Sequence, residues 1–142
     1  MVPYDLNTAL FTDYAHKLRT VWMPQGTTAK YNATDTLDFP VGTVISKTFY
    51  YPRAADGKPG DVARTDDYSH DFAGQGLDMS CVHLIETRIL VHRQDGWAAI
   101  PYVWNDAQTE ATLARTGAVL PLTLVDTDNS REDFNYVVPD ES

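Results

Sequence analysis

Apolar and polar positions alternate most regularly in the second half of the chain, where they predict β-strands. The strongest signal is Val82–Trp104, in which two β-rich runs, VHLIETRILVH and WAAIPYVW, flank a short polar turn that ends in Asp95-Gly96. Because successive side chains of a strand point to opposite faces, Ile85, Ile89 and Val91 fall on one face of the first run. The pattern predicts an antiparallel hairpin with that face in the core.

The remaining strand signals come from β-branched and aromatic residues. Pro101 has no N–H to donate to a neighbouring strand, which predicts that its run lies at a sheet edge or contains a bulge. The sequence GTVISKTFYY predicts a second long strand at Gly42–Tyr51. Shorter strands are predicted at Thr20–Met23, Leu120–Val125 and Phe134–Val138.

Helix signals are few, and one long stretch has little periodicity. Asn7–Leu18 has a plausible cap and a helical spacing of apolar residues, and Asp106–Arg115 predicts a second short helix. The stretch 52–80 is rich in Gly, Asp, Ala and Pro, which predicts a long surface loop. These signals predict one domain over residues 1–142 that is mainly β, an antiparallel sandwich or a small barrel with one or two short helices.

The charge balance narrows the classes of partner. The chain has 142 residues and a formal net charge of -9, whereas affinity for a nucleic-acid backbone requires clustered Lys and Arg. No apolar run approaches the roughly 18 residues that a membrane helix needs. We therefore expect neither nucleic-acid binding nor a membrane span.

The cysteine count limits the cofactors. Cys81 is the only cysteine, which excludes an internal disulfide and a metal site built from cysteines. The chain also lacks the C-x-x-C-H motif, so it binds no haem covalently.

A polar stretch in the predicted loop is the candidate metal site. Asp66, Asp67, His70 and Asp71 bring three carboxylates and an imidazole together in sequence, and oxygen ligands of this kind suit calcium. Their spacing differs from that of an EF-hand loop, and a solvated acidic loop is the alternative interpretation.

Charged side chains on the predicted strands form a second group. Glu86 and Arg88 share one strand face, and Lys47 occupies the middle of another strand. If the two strands pair, the three side chains form a partly buried ion network, which we interpret as structural rather than catalytic.

Aromatic side chains form a third group. Trp97, Tyr102 and Trp104, with Tyr50 on the other long strand, are candidates for a platform that binds a sugar ring, a haem edge or another protein. Packing in the core is the alternative for each of them.

Four long segments of the chain resemble a known family. They are PYDLNTALFTDYAHKLRTVWMPQGT, FPVGTVISKTFYYP, LIETRILVHRQDGWAAIPYVWNDAQTEATL and FNYVVP. In this order they resemble the β-rich domain that precedes the haem-binding segment in a family of exported, poorly characterised bacterial c-type cytochromes. In that family C-x-x-C-H closely follows the last segment, whereas here the sequence PDES follows it. The resemblance therefore implies the scaffold without the haem.

The resemblance implies a non-catalytic accessory or interaction domain of a periplasmic or extracellular electron-transfer assembly. Its partner would be a protein such as a c-type cytochrome, and haem would come only from that partner or from a segment absent here. A standalone subunit and an excised fragment both fit. The 52–80 stretch is longer than the family's usual connection, which predicts a contact particular to this protein, or a lid that buries Phe72 and Leu77.

Two other classes of function stay open at this point. One is a module that binds a small molecule or a carbohydrate through the aromatic platform. The other is a metal-assisted or acid–base enzyme centred on Asp66, Asp67, His70 and Glu86.

Overall fold

The computed structural model describes residues 1–4, 14–31 and 37–140. These residues contain eleven strands and no helix. In chain order the strands are β1 (Val2–Tyr4), β2 (His16–Trp22), β3 (Val44–Pro52), β4 (Asp61–Ala63), β5 (Phe72–Ala73), β6 (Gly76–Leu77), β7 (Val82–Arg93), β8 (Gly96–Trp104), β9 (Ala111–Leu113), β10 (Ala118–Val125) and β11 (Arg131–Val138).

Two sheets pack against each other and confirm the predicted sandwich. The large sheet has the antiparallel order β1-β2-β3-β7-β8-β9. The small sheet has the order β11-β10-β4, with β4 parallel to β10. A separate two-stranded hairpin joins β5 to β6.

The main core lies between the two sheets. Phe49, Tyr51 and Ile85 from the large sheet pack against side chains of the small sheet such as Leu122 and Tyr136. We call this side of the large sheet its inner face. On the outer face, Tyr50, Val82 and Leu84 form a second buried cluster, against which Leu18, Leu77 and Trp104 pack.

The predicted hairpin is present, but its side chains do not all face the core. β7 and β8 pair from Arg93 and Gly96 at the turn to Glu86 and Val103. The pairing of β7 with β3 shifts register between Phe49 and Tyr50, which marks an irregularity. Such a shift breaks the period-2 pattern.

This irregularity makes part of the predicted core wrong. Ile85 is buried in the main core, whereas Ile89 and Val91 are only half-buried. Ile89 pairs with Ser46, which lies on the outer face with Tyr50 because strand side chains alternate. The two residues therefore lie on the side opposite to Ile85.

Pro101 lies on a strand that is only partly an edge. β9 covers the end of β8 from Tyr102 to Trp104, and Ala114 donates its N–H to the carbonyl oxygen of Pro101 at 2.9 Å. In an antiparallel strand a residue's N–H and C=O point to the same side. The missing N–H of Pro101 therefore costs no hydrogen bond with β7.

The predicted helix at Asp106–Arg115 is wrong, because this segment forms turns and then β9. Asn105 accepts the N–H of Thr109 through its side chain at 2.9 Å, which competes with helical bonding. Gln108 has a positive φ of 60° and its side-chain amide pairs with the backbone of Leu84. The other predicted helix, Asn7–Leu18, lies mostly outside the described residues, and its last residues belong to β2.

The stretch 52–80 is not the structureless loop that its composition predicts. It contains β4, which completes the small sheet, and the β5–β6 hairpin. Leu77 is half-buried against the outer cluster, while Phe72 is exposed. Among the described residues no helix is long and apolar enough to cross a membrane.

Candidate ligand-binding cleft

A cleft opens at the β1 edge of the large sheet. β1 contributes only three residues, which pair with β2 between Arg19 and Val21. Beyond them the cleft has a volume of about 930 Å³, within the range of small-molecule sites. Its principal lining side chains come from three separate parts of the chain, and they are Tyr4, Lys17, Leu18, Arg19, Tyr68 and Phe72.

The lining combines aromatic surface with positive charge. Tyr68 and Phe72 are 48% and 45% exposed, so their rings are open to a ligand. Lys17 and Arg19 supply the charge, and no Asp or Glu is among the described residues that line the cleft.

The two cations belong to a larger row on the inner face. Arg19 lies directly opposite Lys47, and Lys47 lies directly opposite Arg88. Lys17 is two residues from Arg19 and shares its face. Like charges in directly opposed cross-strand positions are destabilising. We call Lys17, Arg19, Lys47 and Arg88 the cationic row.

Burial and the neighbouring cations together lower the pKa of both lysines of the cationic row. Burial is the main cause for Lys47, and the charges of Arg19 and Arg88 add to it. For Lys17 the main cause is again burial, followed by Arg19 and Lys47. Both lysines therefore carry their charge at a cost to the folded state.

Glu86 is the buried anion beside this row. Its side chain is fully buried, and Arg88 Nε lies 2.5 Å from its Oε1 without the alignment of a hydrogen bond. Burial raises the pKa of Glu86, against the opposing effect of Arg88. The guanidinium of Arg88 also lies over the ring of Phe49 at 4.5 Å. Two members of the predicted ion network, Arg88 and Glu86, are therefore in contact. The third member, Lys47, lies opposite Arg88, which carries the same charge.

A buried polar network fixes one wall of the cleft. Asp71 Oδ2 lies 2.7 Å from His16 Nδ1 and accepts the hydroxyl of Tyr50 at 2.8 Å. His16 Nε2 lies 2.7 Å from the carbonyl oxygen of Thr65, and the imidazole stacks on Tyr68 with 3.8 Å between ring centroids.

Each contact of this network anchors the segment between β4 and β7. His16 and Asp71 are almost completely buried, and both ring nitrogens of His16 lie within hydrogen-bond distance of an oxygen atom of this segment. Burial, and then the hydrogen bond to Asp71, raises the pKa of Tyr50. Tyr68 and Phe72 are therefore held in place by a network that spans two strands and a loop.

The four predicted metal ligands do not converge. Asp71 points inward to His16 and Tyr50, whereas Asp66, Asp67 and His70 are exposed. Asp67 accepts the N–H of Ser69 at 2.8 Å. Across the described ranges, no group of three or more His, Cys, Asp or Glu side chains is placed to hold a metal ion. A calcium site stays a prediction.

The four predicted aromatic residues do not share one platform. Trp97 is exposed on the inner side and stacks on His92 with 4.5 Å between centroids. Tyr102 and Trp104 have the opposite parity, and Trp104 donates its indole N–H to Thr87 at 2.9 Å. Tyr50 is fully buried and its hydroxyl bonds to Asp71.

The residues that line the cleft are not among the binding or metal sites that the sequence predicted. Lys17 and Arg19 alternate on one strand, and Lys47 and Arg88 are charges within apolar runs, which is the only signal that the sequence carries. Their alignment depends on strand register, and the approach of Tyr68 depends on the contact with His16. Neither follows from local patterns.

The chain matches no protein-family model, no curated protein and no solved structure. The resemblance to the cytochrome domain, with its periplasmic or extracellular location, stays a prediction.

Proposed function

We propose that this chain is a non-catalytic binding domain that holds a small molecule in the cleft at the β1 edge. The observation that carries the proposal is the anchored wall of the cleft, on which Tyr68 stacks on the buried His16. A pre-formed site avoids the entropy cost of ordering its side chains when the ligand binds. Exposed aromatic rings on such a wall provide apolar contact area at low entropic cost.

The experiment closes the cleft with a bulky side chain. Gln75 lines the cleft in the turn between β5 and β6, so Gln75→Trp should fill it. Gln94→Trp is the matched control, because Gln94 occupies the turn of the β7–β8 hairpin and is exposed.

The probes are 2-naphthoate and its neutral amide, 2-naphthamide, titrated by calorimetry and by ligand-dependent melting. We expect the wild type and Gln94→Trp to bind a probe and Gln75→Trp to lose binding. Equal binding by all three proteins would place the ligand elsewhere and contradict the proposal, as would no binding by the wild type.

The accessory function that the resemblance implies is the second candidate, and exposed aromatic surface supports it. Trp97 is 45% exposed, and Phe39 approaches it edge-on. Val41, in the turn before β3, is also exposed at this end of the large sheet. Exposed apolar patches mark protein contacts, and we propose that a c-type cytochrome of the same assembly docks here.

Sedimentation of the chain with a purified c-type cytochrome encoded beside it tests the second candidate. We expect a complex that Trp97→Ala weakens and that Gln75→Trp preserves. No complex, or one that is indifferent to Trp97→Ala, would contradict it.

A further inference from the structure

We propose that the protein has a second ligand site, which binds an ammonium group on a compact apolar body in a pocket beside His83. The site is separate from the cleft at the β1 edge, and the inference does not depend on that cleft. Three features carry it: a gap beyond the end of β8, a buried imidazole with no hydrogen-bond partner among the described residues, and a carboxylate that lines the same pocket.

The gap exists because β7 extends past the end of β8. The last residue of β8 is Trp104, and the β7 residues Val82–Ile85 have no partner in that strand. The side-chain amide of Gln108 takes the place of a strand at one point, where it bonds both the N–H and the carbonyl oxygen of Leu84. Beside this end of β7 lies a pocket of about 310 Å³, which we call the corner pocket.

The lining of the corner pocket is mainly apolar. Leu84 and Ile85 of β7 line it together with Leu120 and Leu122 of β10, and Trp104 adds an aromatic ring. Its volume is at the lower end of the range for small-molecule sites. The pocket therefore fits a compact apolar body.

His83 is the buried polar residue of this lining. It is only 8% exposed, and its ring nitrogens have no hydrogen bond to any group in the described ranges. A buried polar group usually has a partner, because an unmade hydrogen bond costs free energy. Burial, and then the charge of Arg53, lowers the pKa of His83 against the effect of Asp106. The neutral ring that this favours has one nitrogen that accepts a hydrogen bond.

Asp106 determines the charge that the ligand should carry. It is exposed and lines the same pocket, and no other described residue forms a hydrogen bond or an ion pair with its carboxylate. A carboxylate only accepts hydrogen bonds, and the indole N–H of Trp104 is already donated to Thr87 at 2.9 Å. The ring of Trp104 also attracts cations. These side chains therefore favour a ligand that donates hydrogen bonds and carries positive charge.

An ammonium group meets both requirements. It has three N–H donors for the acceptors of His83 and Asp106, while its apolar body packs in the pocket. Arg53 is the opposing cation, but it lies outside the lining and donates to the carbonyl oxygen of Met79 at 3.5 Å. An anionic ligand would instead meet Asp106 and a protein with a net charge of -9.

The test compares three probes of similar shape and different charge at low ionic strength: benzylammonium, benzyl alcohol and benzoate. We expect benzylammonium to bind about two- to fivefold more tightly than benzyl alcohol, the gain from a partly exposed ion pair, and benzoate to bind least. Added salt should reduce this difference. Gln75→Trp should bind benzylammonium as the wild type does, because Gln75 lines the other cleft and not the corner pocket.

Two variants locate the site. Asp106→Asn should weaken benzylammonium about two- to fivefold and leave benzyl alcohol unchanged. Asp95→Asn is its matched control, because Asp95 is exposed in the turn between β7 and β8. His83→Leu should weaken benzylammonium and benzyl alcohol alike, by about three- to tenfold, because both probes donate to the imidazole. Asp106→Asn alone decides the question if thermal melting shows that His83→Leu does not fold.

The outcomes keep this site apart from the first cleft. No binding of benzylammonium by the wild type, equal affinity for all three probes, or an Asp106→Asn variant that binds like Asp95→Asn would overturn the inference. Loss of benzylammonium binding in Gln75→Trp would place the probe in the cleft at the β1 edge and would also overturn it. The naphthyl probes test that cleft in their own experiment, so either proposal can fail while the other stands.

Discussion

At the scale of the residue, some charged side chains of this protein lie in positions that lower the stability of the folded state. Lys47 lies in the middle of a strand between two arginines, and burial with these neighbours lowers its pKa. Glu86 is buried, and its pKa is raised. Residues that break the local rules of stability are commonly retained for binding or catalysis. The cationic row and its buried carboxylate are therefore the residues whose replacement is most informative.

Lys47→Met should stabilise the protein. A lysine whose pKa is lowered on folding opposes folding while it is charged, and this cost begins to fall as the pH rises through its folded pKa and is gone above its unfolded pKa. At neutral pH, removing the charge should raise the free energy of unfolding by about 0.2 to 1 kcal/mol, the range for cross-strand pairs. Urea denaturation measures the change, with Lys58→Met as the control. A destabilised Lys47→Met would show that its alkyl chain or its charge supports the fold.

At the scale of the element, the alternation of apolar and polar residues predicted the long strands. It did not predict which residues lie opposite one another in neighbouring strands. The β7–β8 hairpin and the long strand β3 follow directly from alternation and β-branched residues. The register shift opposite Phe49 and Tyr50 does not follow from this pattern, because one displaced residue in a strand leaves the composition of the strand unchanged. The helix predicted at Asp106–Arg115 failed because Gln108 binds the backbone of Leu84, a contact distant in sequence.

The same limit applies to the cleft. Tyr4, Lys17 and Tyr68 come from three segments that meet only after the sheet has formed. Phe72 lies in the stretch that was predicted to hold a contact of its own, so the region was identified but its geometry was not. Most residues of the predicted aromatic and acidic groups are close to one another in sequence, but neither group comes together in the structure.

The register shift in β7 makes two similar isoleucines unequal. Ile85 is buried in the main core and Ile89 is half-buried on the outer face. Ile85→Ala should therefore cost about 2 to 5 kcal/mol of unfolding free energy, as for other buried aliphatic residues. Ile89→Ala should cost about 1 kcal/mol or less, in keeping with the smaller area removed from water. Equal losses in chemical denaturation would contradict the assignment of faces.

At the scale of the whole molecule, the small sheet covers only part of the inner face of the large sheet. The small sheet covers the part of the large sheet that contains Phe49 and Tyr51, and the cationic row begins beside it, with Lys17 directly opposite Phe49. His83 lies opposite Tyr51, at the end of β7 away from the cationic row, and it lines a pocket together with Leu120 and Leu122 of the small sheet. The packing of the sheets is therefore sensitive to the charge of His83.

Acid should loosen the sandwich through His83. Burial, and then the nearby Arg53, lowers the pKa of His83, although Asp106 opposes the shift. The unfolded chain takes up this proton near pH 6.5 and the folded chain only at lower pH. Stability should therefore fall as the pH drops from about 7 toward 5. His83→Gln should lose less stability over this range in thermal melts at a series of pH values, and an unchanged pH profile would contradict this role.

The parallel pairing of β4 with β10 also bears on how the chain reaches its native state. Most strand pairs here join neighbours in sequence, but Asp61 lies opposite Thr123, and the bridge between Arg53 and Val62 ties β4 to the end of β3. Bringing such distant segments together carries a chain-entropy cost before any contact repays it. We expect the β2–β3, β7–β8 and β10–β11 hairpins to form early and the docking of β10 on β4 to close the sandwich late. Until then, Phe49, Tyr51 and Ile85 would be exposed, and this transient apolar surface is where aggregation would compete with folding.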